Sequence, residues 1–453
     1  MERLGLVAER GRNILNLPLR REQDVSELSR RLLTQRGEAS ALALAKELVS
    51  LLEKLDQAQT ADFLTLLATD FSPPPENVDD AVESWRRRRD ADALLALAEA
   101  VEAPRQELFR RINMTPGGTA TIVRLRGRLL ELLPLRPDLR GVEADLRHLL
   151  VSWFNRGFLQ IEQIDWHTPA AVLEKLITYE SVHAIKGWED LRRRLAADRR
   201  CFAFFHPALP DEPLIFVEVA LTRGMAGQVP PLIDPGREVM DVATADTAIF
   251  YSINNCHAGL RGISFGNFLI KQVVTELSAE LPGLETFATL SPLPRLREAL
   301  EDRDHPDGFT EARLRGLIGD LGGELCRRSG LQDPVQALFQ VLARPAAQTA
   351  TDHRLLARLA LAYVLELRRD GRALDPVAHF HLSNGASVER VNPAGDPSAQ
   401  GWRQSYGVMV NYRYDPERLE LNHERYVGGG EIPIGRALSA EAARVRAAWR
   451  AAG

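Results

Sequence analysis

Several functional signatures are missing from this chain. Cysteine is nearly absent. Cys201, Cys256 and Cys326 are scattered, odd in number and form no CxxC pair. That argues against a disulfide framework or a zinc site and fits a reducing cytosol, so a cytoplasmic location is expected. Long apolar runs are also missing. No stretch approaches the roughly 20 residues that span a bilayer. The opening MERLGLVAERGRNIL alternates charged and apolar residues where a signal peptide would be continuously apolar. No membrane association is therefore expected. A strong basic excess is lacking too: the formal net charge is -5, which argues against nucleic-acid binding by the whole molecule. Lysine is scarce beside arginine, which reads as the codon bias of a GC-rich genome. Neither the Walker pattern GxxxxGK[ST] nor the dinucleotide fingerprint GxGxxG occurs. Internal repeats and low-complexity tracts are likewise missing.

What is present is enough apolar residue, 45% of 453, for sizeable cores, and a length that predicts two domains. From about residue 20 to 165 the pattern is helical, with Leu44, Leu48, Leu51, Leu52 and Leu55 at helical spacing. Pro73–Pro75 and Pro104 are expected breaks. Amphipathic helices with repeated leucine faces predict an association or scaffold element. Near residue 200 the texture changes. CFAFF (201–205), LIFVEVAL (214–221), AIFYSI (248–253), FATLS (287–291), AHFHLSNGA (378–386) and SYGVMVNYRY (405–414) read as strands. A helix follows Gly266, with Leu269, Val273, Leu277 and Leu281 on one face. Another helical stretch occupies about 310–370, and a terminal helix begins near Ser439. The second half is therefore α/β or α+β.

The order strand, turn, glycine, helix in CHAGLRGISFGNFLIKQVV (256–274) carries a mechanism. A helix N-terminus offers unpaired N–H groups and partial positive charge. Glycines let the backbone close on an anion. Arg261, Gly262, Ile263, Ser264, Phe265, Gly266 and Asn267 thus form a candidate pyrophosphate cradle. The segment is similar to the Arg/Gln-x-x-Gly-x-Gly/Ala loop of acyl-CoA-dependent acyltransferases, with Ser264 where the first motif glycine usually sits.

Longer blocks narrow the reading. YESVHAIKGWEDLRRRL (179–195), HPALPDEPLIFVEVALT (206–222), AIFYSINNCHAGLRGISFGNFLIK (248–271), TLSPLPRLREAL (289–300), HFHLSNGA (379–386) and VNYRYD (410–415) occur in order. Together they resemble malonyl-CoA decarboxylases over most of 150–415. The resemblance implies an N-terminal helical oligomerisation domain, placed at 1–152. It also implies an acyl-CoA N-acyltransferase-like α/β catalytic domain with helical insertions at 153–453. It implies conversion of malonyl-CoA to acetyl-CoA and carbon dioxide without cofactor or metal, because the thioester carbonyl is the electron sink. A homo-oligomer is implied as well. The family's catalytic serine and histidine fall on Ser291 and His381: the histidine protonates the acetyl enolate and the serine positions the malonyl group. On a strand His379 would share a face with His381, so the resemblance, not spacing, selects His381. Ser252 and Tyr414 are candidate contacts to the malonyl end. Cys256 beside His257 does not make a site, and His183 and His206 are read as structural. Animal members of the family carry an acidic residue where Ser264 stands, so a loop carboxylate is not expected here.

Two other functions fit parts of this pattern: a CoA-dependent acyltransferase, permitted by the loop, and a non-catalytic acyl-CoA sensor. Carbon dioxide release, amine-dependent CoA release and binding without turnover separate the three.

Overall fold

A computed structural model describes residues 25–263, 268–344 and 348–452. These residues group into two compact units. The first contains 25–155 with the short segments 207–210 and 257–263. The second contains 156–206, 211–256 and the described residues from 268 onward.

The first unit is helical. Its helices include Val25–Thr34, Glu38–Leu52, Gln57–Thr69, Pro75–Arg88, Ala91–Val101, Pro104–Asn113, Gly118–Leu132 and Arg140–Trp153. The proline breaks fall where the sequence put them. Pro75 and Pro104 each start a helix, where a missing N–H costs nothing. Leu48, Leu64, Leu67, Leu108, Leu129, Leu146 and Leu150 are buried in this unit. The helical reading ran too far at its end, because residues 160–164 form a strand.

The second unit is built on an eight-stranded sheet. Its strands are β1 (Gln160–Ile164), β2 (Arg199–Phe205), β3 (Ile215–Thr222), β4 (Thr247–Asn255), β5 (Thr286–Thr289), β6 (Ser291–Pro292), β9 (Ser387–Asn392) and β10 (Met409–Arg413). Two short strands, β7 (Arg368–Arg369) and β8 (Arg372–Ala373), pair separately. The main order is β1-β2-β3-β4-β5-β10-β6, with β9 also on β10. Every ladder in it is antiparallel except β4–β5. That parallel ladder runs from Thr247↔Thr286 to Phe250↔Thr289 and stops. Beyond it β4 continues to Asn255, while the chain after Thr289 turns to pair with β10 through Val410↔Ser291. The two strands part after that point, the Leu290 N–H still donating to the Phe250 carbonyl.

The run Ala378–Ala386 is a correction. It is not a strand but the helix Pro376–Ser383 followed by a turn. Asp375 caps it: its Oδ1 accepts the N–H groups of Val377 and Ala378, each at 2.9 Å. Pro376 fits the first helical position. Ala378, His381 and Leu382 then share the buried face at helical spacing. His379 lies off that face, so the two histidines separate instead of aligning. The run Ser405–Tyr414 also divides. Ala399–Ser405 is a helix, Tyr406 and Gly407 turn with positive φ, and β10 follows.

Candidate active site

Ser291, His381 and Tyr414 converge in the second unit. Ser291 is held at the sheet by its pairing with Val410, and His381 reaches it from the capped helix. Ser291 Oγ lies 2.9 Å from His381 Nε2. The other ring nitrogen, Nδ1, lies 2.8 Å from the Tyr414 hydroxyl. Ser291 Oγ also donates to Thr289 Oγ1 at 2.9 Å. One consistent proton arrangement follows: Tyr414 donates to Nδ1, Nε2–H donates to Ser291, and Ser291 donates to Thr289.

The aromatic packing fixes the ring. Tyr412 in β10 and Tyr414, the residue just past its end, both reach the ring. Tyr412 stacks on the imidazole with centroids 4.6 Å apart, and Tyr414 meets it edge-on at 6.1 Å. His381 is 2% exposed. Burial therefore pushes its pKa down from 6.5 to about 3, and the resting imidazole is neutral. Burial also drives the Tyr414 hydroxyl well above its usual range, so it acts as a donor.

At the end of β4 stands a second polar cluster. Ser252 Oγ and Asn254 Nδ2 each donate to Glu180 Oε2 at 2.7 Å. The N–H groups of Val182 and His183 donate to Glu180 Oε1. Asn254 Oδ1 accepts the N–H and hydroxyl of Ser181. Glu180 thus accepts four hydrogen bonds from around itself, and Ser252 points at that carboxylate. Nearby Glu218, opposite Ser252 in the β3–β4 register, is pushed up to about 7 by burial although Arg194 lies 2.8 Å away.

Residues 257–263 pack within the helical unit. Gly259 sits so close to the helix Gly118–Leu132 that a Cβ would lie 1.8 Å from the Val123 carbonyl oxygen. Gly262 turns the chain with φ +75°. Arg126, itself buried, donates from Nη1 to the carbonyls of Gly259 and Arg261, and from Nη2 to Glu143 at 2.7 Å. Of the cradle residues, Arg261, Gly262 and Ile263 are described. Ser264, Phe265, Gly266 and Asn267 lie outside the described residues.

Sequence reasoning named Ser291, His381 and Tyr414, and the structure brings those three together. It places Ser252 on Glu180 instead of with them. It missed Thr289, Tyr412, Glu180 and Arg126. The alternation in VNYRYD was the available signal for Tyr412. Nothing marked Arg126, one arginine among many on an amphipathic helix. Among the described residues no cluster of three His, Cys, Asp or Glu could hold a metal ion, and no helix is long and apolar enough to cross a membrane.

Comparison with known proteins agrees across the chain. Residues 157–452 match the family described as malonyl-CoA decarboxylase C-terminal domain, and residues 71–154 match the malonyl-CoA decarboxylase N-terminal domain. The mitochondrial malonyl-CoA decarboxylase of Anser anser anser is 34% identical over 407 residues, covering 83% of this chain and 78% of the relative. That of Rattus norvegicus is 34% identical over 398 residues, covering 83% and 80%. The crystal structure of malonyl-CoA decarboxylase from Rhodopseudomonas palustris superposes with a TM-score of 0.83 at 45% identity, covering 91% of this chain and 98% of that one. The Cupriavidus metallidurans structure gives 0.72 at 36% identity, covering 92% and 98%.

Proposed function

The chain belongs to the malonyl-CoA decarboxylase family and is a carboxy-lyase acting on malonyl-CoA, and from that premise we propose that Ser291 and His381 carry the reaction. The observation behind this is the contact between Ser291 Oγ and His381 Nε2, with Tyr414 on the opposite nitrogen. The bond to the malonyl carboxylate breaks, carbon dioxide leaves, and the bonding pair passes into the thioester carbonyl. Ser291 turns its proton from Thr289 to that oxygen. A donor aimed at a developing oxyanion contributes about 3–4 kcal/mol. The enolate carbon then takes one proton, handed over by His381 and replaced from solvent.

The low pKa of His381 suits this step. A proton on a buried imidazole is acidic and passes readily to carbon. The negative charge of the malonyl carboxylate favours loading that proton when substrate is bound. Tyr414 keeps the ring turned. Arg261–Asn267 hold the CoA pyrophosphate, and Arg126 sets the backbone of the loop that leads into them. Ser252 acts at one remove, by fixing Glu180 at the end of β4 beside the malonyl end.

The helical domain at 1–152 is the proposed self-association element of a cytoplasmic homo-oligomer, and 153–453 the catalytic domain. Exposed Leu94, Leu95 and Val101 on the helix Ala91–Val101 support that role. Size-exclusion chromatography of a Leu94→Glu/Leu95→Glu variant should show a smaller species than the parent.

The test of the reaction is purified protein with malonyl-CoA alone, followed by mass. Acetyl-CoA should accumulate over many turnovers and cease in His381→Ala, which should still bind CoA. Full turnover in that variant would remove His381 from the mechanism. Amine-dependent CoA release instead would point to the acyltransferase.

A further inference from the structure

The far end of the sheet holds a cavity of about 400 Å³. It lies where β2 begins, β3 ends and β4 begins, at the opposite end of β4 from the cradle loop. Its floor is a buried charge cluster. Arg193 grips Asp198 with both terminal nitrogens, at 2.6 and 3.1 Å. Arg199 Nη1 lies 3.0 Å from the same carboxylate. All three residues are no more than 5% exposed. Two guanidiniums therefore share one carboxylate, and one positive charge is left over beneath the cavity. Asp234 is exposed, and Arg193 meets it at its backbone carbonyl, Nε donating at 3.3 Å, while Arg199 directs Nε and Nη2 to the neutral Leu232 carbonyl. Arg223 and Arg237, both exposed, line the opening, with Glu238 the acidic residue beside them. Arg237 uses Nη1 on the Pro231 carbonyl, and Arg223 has Asp246 nearby. Leu221, Met225 and Met240 line the remaining wall.

A surplus buried charge is costly unless something of opposite sign reaches it. Solvent can enter this cavity, and low-dielectric walls concentrate the field of the arginines there. We propose that the cavity is a binding site for a small organic oxyanion, a phosphate or carboxylate head on a short apolar body. The head sits between Arg223 and Arg237 above the Arg193–Asp198–Arg199 cluster, and the body lies against Leu221, Met225 and Met240. The wall is tied to the catalytic strands. Met225 O accepts from Arg390 Nη2 at 2.7 Å, and Ala226 O accepts from Asn411 Nδ2 at 3.0 Å. Asn411 Nδ2 also donates to the carbonyl of Thr289, whose hydroxyl meets Ser291. An anion held against residues 222–228 thus bears on β10, which carries Tyr412 and leads directly into Tyr414.

The binding claim stands apart from the decarboxylase reading and is tested without turnover. Calorimetric titration of the full chain with inorganic phosphate, and separately with butyrate, at constant ionic strength should show saturable binding of at least one. Which one binds distinguishes a phosphate head from a carboxylate head. Arg223→Ala/Arg237→Ala should weaken that binding about tenfold or more, since two charge-assisted hydrogen bonds are removed. Its melting temperature without anion should match the parent. Glu238→Gln should tighten binding, and Arg261→Ala and Ser291→Ala should leave it unchanged. No saturable binding of either anion would overturn the proposal. So would binding that survives Arg223→Ala/Arg237→Ala and disappears in Arg261→Ala, which would put the anion at the cradle loop.

Discussion

The buried imidazole makes a prediction about stability as well as chemistry. In the unfolded chain His381 titrates near 6.5, and in the folded protein near 3. Between those values the unfolded state binds the extra proton, so stability falls as pH falls. The contribution is fully present above pH 6.5 and is lost progressively down to pH 3. The whole span is about 5 kcal/mol at most, and the part between pH 7 and pH 5 is about 2 kcal/mol. Urea unfolding of the parent and of His381→Asn, at half-unit steps from pH 5 to 7.5, isolates this term. The variant can be less stable at every pH because a packed ring is gone, but the slope is what matters. His183 and His379 are also lowered by burial, and they titrate alike in both proteins, so they cancel in the difference. The parent should lose about 2 kcal/mol more than the variant between pH 7 and pH 5. Parallel curves would refute a neutral, desolvated His381 and with it the proton arrangement among Tyr414, His381 and Ser291.

Tyr414→Phe removes the donor to Nδ1 and keeps the ring. Steady-state assays should show kcat down about tenfold to a hundredfold with KM little changed, and unfolding should show a loss of about 1 kcal/mol. Arg126→Met unties the Gly259 and Arg261 carbonyls. KM for malonyl-CoA should rise about tenfold or more while the Ser291–His381 contact is untouched, and an unchanged KM would show that the loop holds itself. Glu180→Gln turns an acceptor-only group into one with an amide donor facing four donors, so the melting temperature should fall, by an amount matching about 1–3 kcal/mol. Gly385→Ala should be poorly tolerated: its φ is +84° and an added Cβ would sit 2.1 Å from the Leu419 carbonyl oxygen. Soluble yield and unfolding midpoint check it.

The parts legible in the sequence were those fixed by local pattern. β2, β3 and β4 are apolar, β-branched and aromatic runs bounded by turn residues, and they fold where that pattern puts them. The proline breaks in the helical unit hold for the same reason. The histidine segment failed because its composition, alternating histidine with apolar residues, imitates a strand. The Asp375–Pro376 cap decides otherwise, and a cap is one residue pair set against a run of nine. The strands β1 and β9 could not be seen. β1 carries one buried residue in five, and β9 owes its place to pairing with β10 across distant sequence. Ser291 and His381 were reached through resemblance to a family. Their contact spans 90 residues, and no spacing rule connects a strand end to a helix that far along.

The same long separation explains how the site is built. Ser291 is positioned by backbone pairing, His381 by a helix cap and Tyr414 by the chain leaving β10, so three independent elements must close on one point. None of them alone makes the imidazole neutral. Desolvation does, with Tyr412 stacked on the ring and Phe380 and Tyr414 edge-on to it. A more exposed histidine would keep a pKa near 6.5 and would be loaded with a proton for much of the time at neutral pH. It would also be a weaker acid at the step where, in the proposed mechanism, the enolate carbon takes that proton. Under the proposed mechanism, the buried arrangement gives up resting protonation and gains a donor whose loading depends on the substrate's own carboxylate. On that proposal, proton delivery is tied to the presence of a malonyl group, and a bound acetyl thioester, which lacks the carboxylate, would leave the imidazole neutral and unable to repeat the transfer.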